Sequence, residues 1–304
     1  MRIAERFGLK ERLKTVSEII GHPSNAGRRA GAAVDYLRWN LGHRTMGVEY
    51  VLPLVEGARL LVSDKENYAT LVYTCRLWDF PEQAFLLHLL RPEDTFVDIG
   101  SNIGGYTVLA SAVVGARSIA FEPVPETYAA LQRNVRLNDI ESKVQAYCCA
   151  LGEVDGVSRM TLRRGGLNHI VTDAATPDTV EVAAARLDTV LPGTACRLIK
   201  MDAEGFELSI LRGAPETLAA ADLQALLVEL NGSGGRYGVS DDDVHQEITR
   251  FGFEPCSYDA RTRMLTTLGG FNRHGFNTIY VRSRSAVAER LASGRHFDLG
   301  GKLF

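Results

Sequence analysis

The chain has 304 residues, 45% of them hydrophobic, and 34 Lys or Arg against 37 Asp or Glu give a net charge of -3. That length and apolar content support one large globular domain, or one domain with an extension, and the mild negative balance excludes a global electrostatic pull toward nucleic acid. Cys75, Cys148, Cys149, Cys196 and Cys256 follow neither a metal-ligand spacing nor a disulfide framework, and no apolar run reaches the roughly 18 residues of a membrane span, so the expectation is a cytoplasmic protein without a signal peptide or transmembrane helix.

The first 45 residues are the basic part, with nine Lys or Arg against four Asp or Glu. Ile3, Phe7, Leu13, Val16 and Ile20 recur at helical spacing, and Pro23-Ser24-Asn25-Ala26-Gly27 ends that helix. Arg28 to Leu41 predicts a second helix with Val34, Leu37 and Leu41 on one face. This basic stretch reads as a solvated helical arm, with contact to an anionic partner or packing on a neighbouring copy in a homo-oligomer as the alternatives. Val51–Leu54, Arg59–Val62 and Thr70–Tyr73 read as short strands. Pro81 to Leu90 is a helix with proline in its first turn.

The run Thr95–Ile99 is apolar except for Asp98, and it opens into Gly100-Ser101-Asn102-Ile103-Gly104-Gly105-Tyr106-Thr107. A helical segment follows to Val114. A second apolar run, Ser118 to Phe121, then ends in Glu122. Strand, glycine turn, helix, strand and acid together build a nucleoside crevice at the carboxyl ends of parallel strands. A dinucleotide fingerprint needs glycine where Asn102 stands, so that backbone can approach a pyrophosphate. Asp98 repels a diphosphate and suits an ammonium, while Glu122 suits a ribose diol. The cofactor these features select is S-adenosyl-L-methionine.

Further strands fall at Val144–Cys148, Arg197–Asp202 and Ala225–Leu230, with helices at Pro125–Leu137, Glu207–Arg212 and Pro215–Ala220 between them. Arg159–Arg164 and Thr179–Ala185 form an inserted hairpin. Phe253–Tyr258 and Asn277–Val281 are joined by too short a connection for a parallel crossover, so the last strand is antiparallel. The fold class is therefore α/β, a doubly wound, seven-stranded, mostly parallel Rossmann-like sheet with an antiparallel last strand. Residues 1–90 make an N-terminal extension, 91–285 the cofactor domain and 286–304 a tail.

Asp98-Ile-Gly-Ser-Asn-Ile-Gly-Gly-Tyr-Thr, Phe121-Glu122-Pro123 and Ile199-Lys200-Met201-Asp202-Ala203-Glu204-Gly205-Phe206-Glu207 resemble the FkbM-type class I S-adenosylmethionine-dependent methyltransferases over roughly residues 80 to 282. The resemblance implies O-methylation of a sugar, glycan or polyketide-like small molecule. It implies that Asp98, Gly100, Asn102 and Gly104, with Ser101 and Tyr106 of the same loop, bound the methionine part. It places Glu122 and Pro123 at the ribose, Ala150 and Leu151 at the adenine, and Asp202 and Glu204 near the transfer site. The segment Gly165-Gly166-Leu167-Asn168-His169 departs from the Ser-rich patch usual in the family.

Asp202, Glu204 and Glu229 gather at the tips of the fourth and fifth strands, where a general base for a hydroxyl acceptor belongs. The same oxygens suit a divalent cation such as Mg²⁺, and a structural role is the third reading. Lys200, two residues before Asp202, predicts a salt bridge, and Glu207 predicts a helix cap. His169, in the inserted loop, is a further candidate base, ahead of His274 and the surface His245. Trp78, Tyr73 and Phe80 either cover the cofactor, grip the acceptor or pack the arm. Asn231 to Gly238 reads as a lid or a plain connection. Transfer to nitrogen, a nicotinamide oxidoreductase and a non-catalytic nucleoside-binding module are the rival functions.

Overall fold

A computed structural model describes the chain except residues 1–8, 47–48, 64–68, 163–166, 173–175 and 300–301. Ile3 and Phe7 lie outside the described residues, as do Gly165 and Gly166. The N-terminal part comprises α1 (Leu9–Gly21), α2 (Arg29–Met46), the hairpin β1 (Tyr50–Pro53) and β2 (Arg59–Val62), α3 (Ala69–Cys75) and α4 (Phe80–Leu89). Thr70–Tyr73, expected as a strand, is helical. Its β-branched and aromatic residues favour extended chain, but Ala69, Val72 and Cys75, three apart, are all buried at one face. That tertiary contact outweighs a propensity spread of about 1 kcal/mol. In α2 the buried residues are Ala32 and Trp39. Val34, Leu37 and Leu41 do share a face, and it is exposed.

The core domain runs β3 (Thr95–Ile99), α5 (Gly105–Val108, continuing as a π-helical segment Leu109–Val114), β4 (Arg117–Phe121), α6 (Pro125–Leu137), β5 (Val144–Tyr147) and the inserted strands β6 (Ala150–Leu151), β7 (Gly156–Thr161) and β8 (Thr179–Ala185). It continues through α7 (Leu187–Val190), β9 (Leu198–Met201), α8 (Glu207–Arg212), α9 (Pro215–Ala219), β10 (Ala225–Glu229), α10 (Asp241–Arg250), β11 (Glu254–Asp259), β12 (Met264–Thr267), β13 (Asn277–Val281) and α11 (Arg284–Ala292). The main sheet has the order β12-β11-β13-β10-β9-β3-β4-β5. Strands β5, β4, β3, β9 and β10 are mutually parallel, and β13 enters antiparallel to both β10 and β11. The seven expected strands are joined by an eighth, β12, paired to β11 at the edge. A three-stranded sheet, β6-β8-β7, holds the inserted hairpin beside it.

Strand alternation divides the core in two. Phe96, Leu198, Ala225 and Leu227 face a layer built from α4, α5 and the N-terminal part. Val97, Ile99, Ile199, Met201, Leu226 and Val228 face the layer of α8, α9 and α10. Phe297 and Phe304 of the tail bury into the first layer, so both flanks of the chain share one apolar core with the sheet. None of the described helices is long and apolar enough to cross a membrane.

Candidate active site

The loop after β3 is stitched to the tip of β4. The amides of Gly100 and Ser101 both donate to the Phe121 carbonyl at 3.0 Å. Gly100 adopts φ +72°, and a Cβ there would stand 1.8 Å from the Asp202 carbonyl oxygen. Only glycine lets β3 and β9 close this tightly. Asn102 takes φ +50° and its amide donates to Glu122 Oε2 at 3.0 Å, while Val124 N donates to Glu122 Oε1 at 2.9 Å. The carboxylate spaced 20 residues from the loop is thus clamped by backbone on both oxygens. Burial pushes Glu122 up to about 7 against the pull of those two amides.

These elements line a cleft that is partly open to solvent. Gly100, Asn102, Glu122 and Pro123 form one side, Cys149, Ala150 and Leu151 the next, and Asp202, Glu204, Phe206 and Ile210 the third. The inserted hairpin supplies Met160 and Ile170, which bridge to each other. Among the described residues lining it, three are carboxylates and none is Lys or Arg. Such a wall suits a cationic nucleoside with a free diol and opposes a diphosphate. The apolar residues, with Phe206 among them, suit an adenine face.

Some expected site residues lie elsewhere. Asp98 pairs with Lys200 across the β3–β9 ladder, and the pleat sets both on the α5 side of the sheet. Asp98 is 1% exposed, accepts from Thr107 Oγ1 at 2.6 Å, and is raised by burial. Tyr106 is likewise buried on that side, and neither lines the cleft. Ser101 and Gly104 hold the loop without lining it. Among the hairpin residues, Asn168 and Ile170 line the cleft and His169 between them does not; its Nδ1 sits 3.2 Å from the Leu167 carbonyl. His245 meets the Tyr280 hydroxyl at 3.0 Å, and His274 is exposed. Met160, Ile170 and Phe206 carry no sequence signal for this role, because only the packing of the insert on the main sheet brings them here.

At the strand tips Asp202, Glu204 and Glu229 bring carboxylate oxygens within 4.8 Å of one another. Lys200 Nζ reaches Asp202 Oδ2 at 3.0 Å. Burial opposes the Lys200 charge, but the Asp202 and Asp98 carboxylates outweigh it and hold the proton more tightly than usual. Arg236 bonds the Glu204 carbonyl and lies 3.9 Å from its Oε2. Burial, then the Asp202 charge, push Glu229 up to about 10, so at neutral pH it holds its proton. Two basic side chains, Lys200 and Arg236, thus already stand against this cluster. Glu204 is pushed up to about 7 by burial and Asp202. Glu207 Oε1 accepts from the amides of Ala203 and Gly205 at 2.8 and 3.2 Å, shaping the turn that presents Glu204. Arg236 and Tyr237, whose hydroxyl donates to the Ile170 carbonyl at 2.8 Å, tie the segment after β10 to the cleft wall. Tyr73 stacks on Trp39 and Phe80 meets Phe304 edge-on, packing the arm, while Trp78 stands edge-on to Tyr106.

The chain is similar to known methyltransferases. The 31-O-demethyl-FK506 methyltransferase FkbM of Streptomyces tacrolimicus is 30% identical over 174 residues, covering 45% of this chain and 66% of that protein. Methyltransferase 1 of Beauveria bassiana is 31% identical over 148 residues, covering 40% of this chain and 59% of that protein. The chain thus spans about three fifths to two thirds of the length of these curated relatives. A solved structure of geranyl diphosphate methyltransferase in complex with SAM superposes with TM-score 0.38 at 15% identity, over 69% of this chain and 80% of that one. The methyltransferase FkbM domain model matches residues 98–255, from Asp98 through both signature acids and the strands that carry them. That match takes in more than half of the sequence, and the chain belongs to the FkbM methyltransferase family.

Proposed function

We propose that this chain is an S-adenosylmethionine-dependent methyltransferase acting on a hydroxyl of a small molecule of the sugar, glycan or polyketide type. The observation that carries the reading is the cleft itself: the backbone-clamped Glu122, an apolar wall at Leu151, Phe206 and Ile210, and carboxylates with no Lys or Arg among the described lining residues. The relative from S. tacrolimicus is named for methylating an oxygen of FK506, which supports oxygen as the acceptor atom.

When bound, the sulfonium supplies a methyl group that is already electrophilic. Glu122 takes the ribose diol, and Leu151 and Phe206 flank the adenine. The chain's remaining task is to hold the acceptor oxygen in line and receive its proton. Asp202, on the cleft and flanked by Lys200 and protonated Glu229, is the acceptor of that proton. Glu229 donates to Asp202 and keeps its orientation. A positioned base of this kind contributes roughly 10²–10⁴-fold.

Calorimetry with S-adenosylmethionine, S-adenosylhomocysteine and NAD tests the cofactor: the S-adenosyl compounds bind and NAD does not. NAD binding alone would overturn the reading. Methyl-labelled S-adenosylmethionine incubated with hydroxylated and aminated metabolite pools should deliver label to oxygen, as read by the methyl carbon shift. Asp202→Asn should lower that labelling by two orders of magnitude or more while S-adenosylhomocysteine affinity holds within about threefold. Undiminished labelling removes Asp202 from the chemistry.

A further inference from the structure

Asp79, Glu82 and Tyr106 are titratable groups that the cleft leaves unused. Asp79 stands at the start of α4 and is half-buried. Tyr106, 5% exposed, lies two residues past Gly104 and donates its hydroxyl to Asp79 Oδ2 at 3.1 Å. The Lys200 ammonium stands 5.0 Å from the centre of the Tyr106 ring, and the same ammonium bonds Asp202 on the cleft. Trp78 closes over Gly105, where a Cβ would come within 2.4 Å of the indole. A continuous line, Asp202–Lys200–Tyr106–Asp79, therefore leads from the Gly100 end of the cleft onto the N-terminal segment, outside the residues matched to the family.

We propose that Asp79 receives the α-ammonium of the methionyl tail of S-adenosylmethionine, with Tyr106 as the positioning residue that holds its carboxylate. The inference rests on the cofactor reading above and extends it. Adenine toward Leu151 and ribose on Glu122 leave the tail running past Gly100 and Asp202, away from the inserted hairpin. An ammonium there needs a carboxylate that is reachable and charged. Asp98 does not serve, since the pleat buries it under α5 against Thr107. Asp79 is only half-buried, and the Lys200 charge and the Tyr106 hydroxyl favour its ionised form against burial, which raises it to about 6. Glu82, raised by burial and the Asp79 charge to about 8, holds its proton more tightly than Asp79.

Two probes separate this from a general effect on the site. S-adenosylhomocysteine carries the amino-acid tail; 5′-methylthioadenosine keeps the nucleoside and lacks it. With the full chain, Asp79→Asn should weaken S-adenosylhomocysteine about 10–100-fold, the range for a lost charged hydrogen bond, and leave methylthioadenosine within about threefold. Tyr106→Phe should show the same split at smaller size. Unchanged S-adenosylhomocysteine affinity, or an equal loss for both probes, overturns the proposal. A measurement independent of mutant folding uses the wild type: it should prefer S-adenosylhomocysteine to its desamino analogue by at least about tenfold, and equal affinity refutes Asp79. Wild type that binds neither adenosyl probe sinks the cofactor reading and this inference together.

Discussion

At the scale of single residues, two acids that look equivalent in the sequence play different parts. Glu122 ends a strand, so its side chain is free to turn into the cleft between two amides. Asp98 lies one position inside its strand, and its direction is fixed by the pleat toward Thr107 and Lys200. The acid spacing was legible; the parity that sorts the two was legible only once the strand ends were known. The burial of Glu122 has a measurable cost without ligand. Its carboxyl lies at about 7 in the fold against about 4.3 in an unfolded chain. The fold therefore binds the extra proton between those values, and this contribution to stability is complete below about 4.3 and lost as pH rises through 7. The loss approaches about 3–4 kcal/mol by this arithmetic. Glu122→Gln should flatten the decline of the ligand-free melting temperature between pH 5 and 8, measured by calorimetry, and weaken S-adenosylhomocysteine by about 10-fold or more. A variant with the wild-type slope would show that Glu122 is not desolvated.

At the scale of elements, the β3 loop and the β9 turn are one device. The Gly100 Cα faces the Asp202 carbonyl, and Glu204 and Gly205, at φ +53° and +96°, carry the second turn beneath the segment after β10. Gly100→Ala should destabilise the protein by more than about 2 kcal/mol, because backbone rather than a flexible side chain blocks the new methyl. Gly193→Ala, also at positive φ but with nothing within 4 Å, is the control, expected at about 1 kcal/mol. Urea unfolding compares them, and equal costs would refute the close approach. The elements with local punctuation were readable in the chain. Pro125 opens α6, the turn at Glu56-Gly57 bounds β2, and β8 alternates between its flanking loops, so their limits match expectation. The α3 segment was not readable, because its strand-like residues are helical only through burial of one face. The apolar wall of the cleft escaped for a related reason: Met160, Ile170 and Phe206 meet Val124 and Ala150 only through long-range packing.

At the scale of the molecule, the sheet needs both flanks of the chain to cover its α4 side. His88 of α4 is fully buried there, between Tyr258 of β11, whose hydroxyl sits 2.6 Å from Nδ1, and the rings of Phe297 and Phe304 of the tail. Burial, then the nearby Arg263 charge, push His88 down to about 4. An unfolded histidine titrates near 6.5, so between these values the unfolded chain binds the extra proton. The stability this neutral ring secures is whole above about 6.5 and falls as pH drops toward 4, by roughly 3 kcal/mol. Acidification should therefore loosen the tail from α4. His88→Phe keeps the ring volume and removes the titration. Its unfolding free energy should fall less steeply than that of wild type between pH 7 and 4.5, while its S-adenosylhomocysteine affinity at pH 7 stays within about twofold, since His88 and the cleft lie on separate apolar layers. Parallel slopes would place the acid sensitivity elsewhere, and a large loss of affinity would show that the tail and the cleft are coupled through the sheet.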